Sequence, residues 1–325
     1  MRKWIGLAAF LWALALQLCF AAAQTQLKVM VFPGIQNLPF FVAEEKGFFA
    51  KRGLAVEVLL APNSGELRDG LAQNRHQIAH AASDNAVAMA EISKADIAIV
   101  MGGDNGWNRL FVQPEIATLA DLRGKTVIVD APNTAYALLL YKMLAAAGLK
   151  KGDYEVKAIG STFTRLQEMQ KEKAYAASML NPPFSLQAAR AGLKDMGAVV
   201  DTVGPYQATA GFVMRGWARD NADILVRYLQ AQLDSLRWLY DPANKAEATA
   251  LLATRLKLPP DVAAQTFAIA TDPATGFAKD AAIDIAGFGN VLKLRAEIEG
   301  QWGGTPPAPE KYLDPAYRER ALAGF

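Results

Sequence analysis

The 325-residue sequence holds one cysteine, Cys19, and two histidines, His76 and His80. A single thiol closes no disulfide within the chain, and two histidines with no later cysteine cannot build a zinc site. HExxH, Walker-type and GxGxxG patterns are all missing, which removes the metalloprotease, P-loop and dinucleotide-binding readings. No polybasic stretch is present, and Lys+Arg 34 against Asp+Glu 32 leaves a formal charge of +2, so nucleic acid has no electrostatic footing as a partner. The 20% charged and 52% hydrophobic fractions describe a globular chain rather than a disordered one. His76 falls in a turn and His80 within the apolar run IAHAA, so both are expected to be structural rather than a metal pair.

One long apolar run begins the chain. Arg2 and Lys3 precede it, Trp4 to Phe20 continue it with a break at Gln17, and Ala21-Ala22-Ala23 follow. Its length approaches the ~20 residues that span a bilayer. The small residues at its end and polar Gln24-Thr25-Gln26 after it instead mark a secretory signal peptide over residues 1–23, cleaved after Ala23. A lipoprotein signal would carry small residues before Cys19, where Gln17 and Leu18 stand. The mature chain would then lack cysteine, which suits an exported, oxidising compartment.

The mature chain is organised around Leu27 to Leu60. Leu27, Val29 and Val31 alternate with Lys28, Met30 and Phe32, as in a strand. The loop Pro33 to Asn37 follows, and Pro39 fits the first turn of a helix that Gly47 can end. Leu54 to Leu60 resumes strand character, and a crossover of this length makes a parallel pair. In such sheets ligands bind at the loops leaving the carboxyl ends of the strands. The unit then recurs without sequence repetition, through strands at 77–82, 96–101, 109–113, 126–130, 154–159, 175–180, 198–200 and 209–214. The expected division is 24–113 plus 206–325 for one lobe and 114–205 for the other, with crossings at Pro114 and near 201–205. The C-terminal helices are expected on the outside of the first lobe, without chemistry.

Six polar loops lie between a strand end and a helix start: PGIQN, APNSG, SDN, APNT, GST and NPPF. Each presents free backbone N–H groups, which converging on one cleft would favour an anionic group. Each could equally serve as a helix cap alone. The glycine-rich loop after Met101 adds Asn105 and Trp107, and Trp107, Tyr136 and Phe184 are candidates to stack on an aromatic ligand. Phe40 is a further candidate of this kind; all four could equally be core, and for Phe40 the core role is expected.

The run PFFVAEEKGFFAKRGLAVEV resembles the opening of periplasmic binding proteins of the nitrate, sulfonate and taurine importer type, a group that includes relatives binding the pyrimidine precursor of thiamine. Similarity continues through LRDGLAQNRHQIAHAASDNAVA, LADLRGKTVIVDAPNTAYALLL and AASMLNPPFSLQAARAGL, to about Met214. The resemblance implies an α/β, two-lobed periplasmic binding protein fold (type II), each lobe a mainly parallel sheet flanked by helices, with the ligand cleft between lobes. It also implies a periplasmic monomer that binds a small molecule by hinge closure and hands it to an ABC permease driven by a separate ATPase. Neither catalysis, cofactor nor metal belongs to that role. Ligand contacts carry over to Gln36, Asn37, Asn63, Ser64, Ser83, Asp84, Asn85, Asn133, Thr134 and Asn181. Asp84, Asp104 and Asp130 stand in these loops with only Arg165 as a nearby cation, so a ligand with hydroxyl or amino donors is expected over an inorganic anion. Asp84 is expected to meet a ligand donor, with helix capping as the alternative. Two other functions stay open: an enzyme resembling thiamine-pyrimidine synthases, whose histidine and cysteine-rich segment lack convincing counterparts here, and a sensor ectodomain.

Overall fold

The computed structural model describes residues 24–324, so the expected signal peptide lies outside the described residues. In chain order the strands are β1 (Thr25–Val31), β2 (Leu54–Leu60), β3 (Ile78–Ala82), β4 (Ile97–Gly102), β5 (Arg109–Val112), β6 (Thr126–Val129), β7 (Glu155–Ala158), β8 (Tyr175–Leu180), β9 (Lys194–Ala198) and β10 (Thr209–Met214). They form two five-stranded sheets, ordered β2-β1-β3-β10-β4 and β7-β6-β8-β5-β9. The alternation in β1 is realised: Leu27, Val29 and Val31 are buried while Lys28 is exposed. β1 pairs in parallel with β2 and β3, and β6 with β7 and β8.

Each sheet contains one reversed strand. β10 runs antiparallel to β3 and β4, and β5 runs antiparallel to β8 and β9. Both are delivered by a passage of chain from the other sheet. Because β5 lies in the second sheet, the first passage runs through 103–108, before β5, and not at Pro114 as expected. Leu110, Phe111 and Val112 are buried on both faces, as a strand flanked by two others requires, and such a run reads identically whichever sheet receives it. The strand expected at 198–200 is also displaced: β9 ends at Ala198, and Val200–Val203 forms one helical turn on the return passage.

The helix Ile285–Glu299 corrects a further expectation. It does not stay on the outside of the first lobe. Its Phe288, Val291 and Leu292 share one apolar core with Leu138 and Leu139 of the second-lobe helix Ala135–Ala146. Glu297 accepts a hydrogen bond from Lys142 Nζ at 2.5 Å, and Asn290 Nδ2 donates to the Pro205 carbonyl at 2.8 Å. A separate core in the first lobe gathers Phe40, Phe49, Tyr228 and Leu229 against β1 and β3. Phe40 is fully buried there, in the core role expected over ligand stacking, although it also borders a small cavity.

Candidate functional site

The polar loops converge on a small cavity between the two sheets. The first lobe contributes Phe32, Gln36, Ser64, His80, Asn85 and Thr209. From the second come Asp130, Thr134, Tyr136, Ser161, Arg165 and Asn181, with Thr162 beside Ser161. A second small cavity shares Gln36, His80 and Thr209 and continues toward Phe40, Met101 and Phe277.

Local sequence explains how the walls are held. Gly34 sits at φ 142, and a Cβ there would fall 2.6 Å from Gln36 Oε1, so the loop after β1 needs glycine at that point. Gln36 Nε2 donates to the carbonyls of Phe32 (2.8 Å) and Pro33 (3.1 Å), which folds the loop on itself. Its Oε1 accepts from Asn181 Nδ2 at 3.2 Å, across the cleft. A second bridge joins Ile35 N–H to the Pro182 carbonyl at 3.3 Å. A third runs from Ser64 Oγ to Asp130 Oδ2 at 2.7 Å, while the other Asp130 oxygen accepts from the Thr134 hydroxyl.

The charges are arranged differently from the sequence expectation. Asp84 makes neither a simple cap nor a wall of the cavity. Its carboxylate takes a two-pronged bond from Arg295, at 2.7 Å from Nε and 2.8 Å from Nη2, with both side chains buried. Arg295 also donates to the Asn133 carbonyl at 3.1 Å. Asp84 is therefore neutralised, and it no longer argues against an anionic ligand. Arg165 is fully buried beside the cavity, and its donors meet Ser178 Oγ (2.9 Å), Thr162 Oγ1 (3.1 Å) and the carbonyls of Met179 (3.1 Å) and Gly160. Its guanidinium carbon stands 5.3 Å from the centroid of the Tyr136 ring, a cation–π geometry. Burial holds Tyr136 above the usual phenol range, and the Asp104 charge adds to the effect. Burial pushes His80 down to about 3, so its imidazole is neutral, with Nε2 2.9 Å from the Tyr228 hydroxyl. Asp104 ties the two passages together: it accepts from Gly106 N–H at 3.1 Å and from the Thr209 hydroxyl at 2.5 Å.

Of the residues singled out in the sequence, Gln36, Ser64, Asn85, Thr134, Tyr136 and Asn181 line this cavity. The others are placed elsewhere. Asn37 Nδ2 braces its own loop through the Phe32 carbonyl (2.9 Å), Asn63 caps the helix Ser64–Ala72 by accepting from Glu66 N–H (2.9 Å), and Ser83 Oγ donates to the Gln207 carbonyl (2.6 Å). Asn133 offers its carbonyl to Arg295, and Asn105 lies in the first passage with its side-chain oxygen buried. Trp107 packs edge-on to Phe277 at 5.2 Å and Phe184 lies beside Phe163 at 5.8 Å, so neither faces the cavity. Sequence reasoning passed over Phe32, His80 and Thr209 as wall residues. Thr209 begins a reversed strand, so its amino end reaches the cleft edge and the carboxyl-end rule overlooks it. Among the described residues no group of three or more histidine, cysteine or acidic side chains could hold a metal ion. No helix among them is long and apolar enough to cross a membrane.

The family model described as the NMT1-like family matches residues 21–253. An ABC transporter periplasmic binding protein of Brachyspira hyodysenteriae is 24% identical over 239 residues, which cover 68% of this chain and 67% of that relative. Solved structures that share the fold include two ligand-binding proteins. The periplasmic nitrate-binding protein NrtA of Synechocystis PCC 6803 superposes with a TM-score of 0.77 at 18% identity, covering 92% of this chain and 89% of its own. The alkanesulfonate-binding protein SsuA of Xanthomonas axonopodis pv. citri, bound to MOPS, does so with a TM-score of 0.68 at 16% identity, covering 93% and 99%.

Proposed function

The chain belongs to the NMT1-like family, and from that premise we propose that it is the substrate-binding component of an ABC import system. It is exported to the periplasm, closes its two lobes over a small polar organic molecule, and delivers that molecule to a membrane permease powered by a separate ATPase. The observation that carries the proposal is the cleft itself: its walls come from both lobes, and three hydrogen bonds already cross it, Ser64–Asp130, Asn181–Gln36 and Ile35–Pro182. A ligand touching both walls gains contacts only when the lobes are closed, which is the basis of hinge-type capture. The relative's name and the two ligand-binding neighbours support the same reading.

Binding rather than turnover is supported by how the reactive groups are occupied. The hydroxyls of Ser64 and Thr134 both donate to Asp130, and His80 Nε2 is turned to Tyr228. Neither hydroxyl is hydrogen-bonded to an imidazole that could act as its base. The test is native mass spectrometry of the protein purified from its own periplasm, followed by calorimetry with sulfonates, taurine, nitrate, aromatic acids and pyrimidines. A stoichiometric ligand released unchanged on denaturation is the expected result. Chemical conversion of the bound molecule during incubation would refute the proposal.

A further inference from the structure

We propose that the protein carries a second ligand site, for a small carboxylic acid with an apolar body, in a cavity beside the two passages and separate from the cleft. The site goes beyond the capture reading above and stands independently of it.

The cavity measures about 280 Å³ and shares no lining residue with either cleft cavity. That size is close to the ~300 Å³ at which ligand pockets commonly begin. Its apolar walls come from four parts of the chain. The first passage supplies Trp107 and the return passage Val200. The second lobe supplies Phe111 of β5 and Leu186 of the helix Phe184–Arg190, and the first lobe Ile269 of the helix Pro260–Ala270. Such walls suit a ring or a short chain.

The polar groups left unspent on these walls are donors. Ser185 is 3% exposed and Trp107 5%, yet neither the Ser185 hydroxyl nor the Trp107 indole N–H is hydrogen-bonded among the described residues or sealed from solvent. Both residues line this cavity and neither cleft cavity. Arg109 spends its Nε on Asp195 Oδ2 at 2.5 Å, and its two Nη atoms meet no acceptor among the described residues. The acceptors are already occupied: Asp195 Oδ1 takes the Gly197 N–H at 2.9 Å, and the Thr275 hydroxyl donates to Asp272 Oδ1 at 3.0 Å. A carboxylate brings two acceptor oxygens and the charge that a guanidinium binds most strongly. Its place is at the Arg109 end, where the side chain is 42% exposed, with the apolar body toward Trp107 and Phe111. An alcohol lacks the charge, and an ammonium group would meet Arg109 with the same sign.

Calorimetry on the mature protein with benzoate, phenylacetate and hexanoate, against benzyl alcohol, benzylamine and hexanol, tests this. At least one acid is expected to bind about tenfold or more tightly than the alcohols and the amine. Arg109→Gln is expected to weaken that acid about tenfold, the loss of a hydrogen bond to a charged group. Ala189→Trp, at an exposed position on the cavity wall, is expected to obstruct entry and abolish binding. Both positions are solvent-accessible, so thermal midpoints close to that of the unchanged protein are expected. Acids that bind no more tightly than the alcohols and the amine, or no heat from any acid up to about 1 mM, would overturn the proposal. So would an acid whose affinity is unchanged in either variant, since it would then occupy the cleft or another place. A ligand that co-purifies in the cleft is expected to keep its occupancy in Arg109→Gln, and its loss there would overturn the separation of the two sites.

Discussion

Replacing Asp84 by asparagine distinguishes a buried ion pair from a helix cap by an order of magnitude. In the structure both carboxylate oxygens are held by Arg295, at 2.7 and 2.8 Å, and each side chain is 2% exposed. Burial alone would lower the pKa of Arg295, yet the charge and hydrogen bonds of Asp84 outweigh it and hold the guanidinium above its usual value. Asparagine keeps one acceptor and removes the charge, so the guanidinium is left buried without its counter-ion. Breaking a buried pair from one side costs roughly 3–5 kcal/mol, against a few tenths for a cap, where asparagine serves about as well. Urea denaturation followed by tryptophan fluorescence reads the difference directly. The double variant Asp84→Leu with Arg295→Met removes both charges and is expected to recover most of the loss, because apolar replacement of a buried pair is often neutral or better. A single-variant loss below about 1 kcal/mol, or a double variant that costs the sum of the two singles, would refute the reasoning.

Ser64→Ala removes a charge-assisted bond across the cleft and is expected to disfavour closure by about 1.5–3 kcal/mol, seen as a larger radius of gyration in solution scattering; an unchanged radius would count against the bridge. Gly102→Ala would place a Cβ 2.0 Å from the Ala282 carbonyl oxygen, so a thermal midpoint equal to that of the unchanged protein would contradict the packing. Burial pushes the Asp104 carboxyl up to about 6, against smaller opposing pulls from Thr209 and Gly106. Between about pH 4 and 6 the folded protein keeps a proton that the unfolded chain has released, so this contribution to stability is present at lower pH and is lost as pH rises through the window. Asp104→Asn is expected to flatten that slope in urea midpoints measured across the window, and an unaltered slope would show that Asp104 is not its source.

Local periodicity and strand-end loops were legible because each is written within a few residues. The alternation of Leu27, Val29 and Val31 places β1, and the polar residues after parallel strands place Gln36, Ser64, Asn85, Thr134 and Asn181 on one cavity. The signals that failed are non-local. Arg295 stands 211 residues from Asp84, and nothing near either residue marks the other. β5 has the same buried apolar character in either sheet, so its neighbour β4 suggested the wrong one. Caps and contacts were also confounded: Asn63 and Ser64 are adjacent, yet one caps the helix and the other reaches the opposite lobe.

On the proposed hinge closure, the energetics follow from which contacts cross the cleft. The ion pair between Arg190 and Asp261 joins the lobes at exposed side chains, where such pairs contribute little. The helix Ile285–Glu299 packs on both lobes through Phe288 and Leu292, on a core shared with Leu138. At the cleft, the two neutral bonds are worth about 0.5–1.5 kcal/mol each and the Ser64–Asp130 bond about 1.5–3. Moving an equilibrium from 1:99 open to 99:1 closed takes about 5.5 kcal/mol of differential binding. Two neutral ligand bonds and one to a carboxylate, formed only in the closed state, come to about 2.5–6 kcal/mol, a range that includes that figure. Asn85 lies on the first wall and Asp130 and Asn181 on the second, so a ligand reaching both walls can supply them. One that reaches a single wall binds open and closed lobes alike, and it leaves the equilibrium where it was.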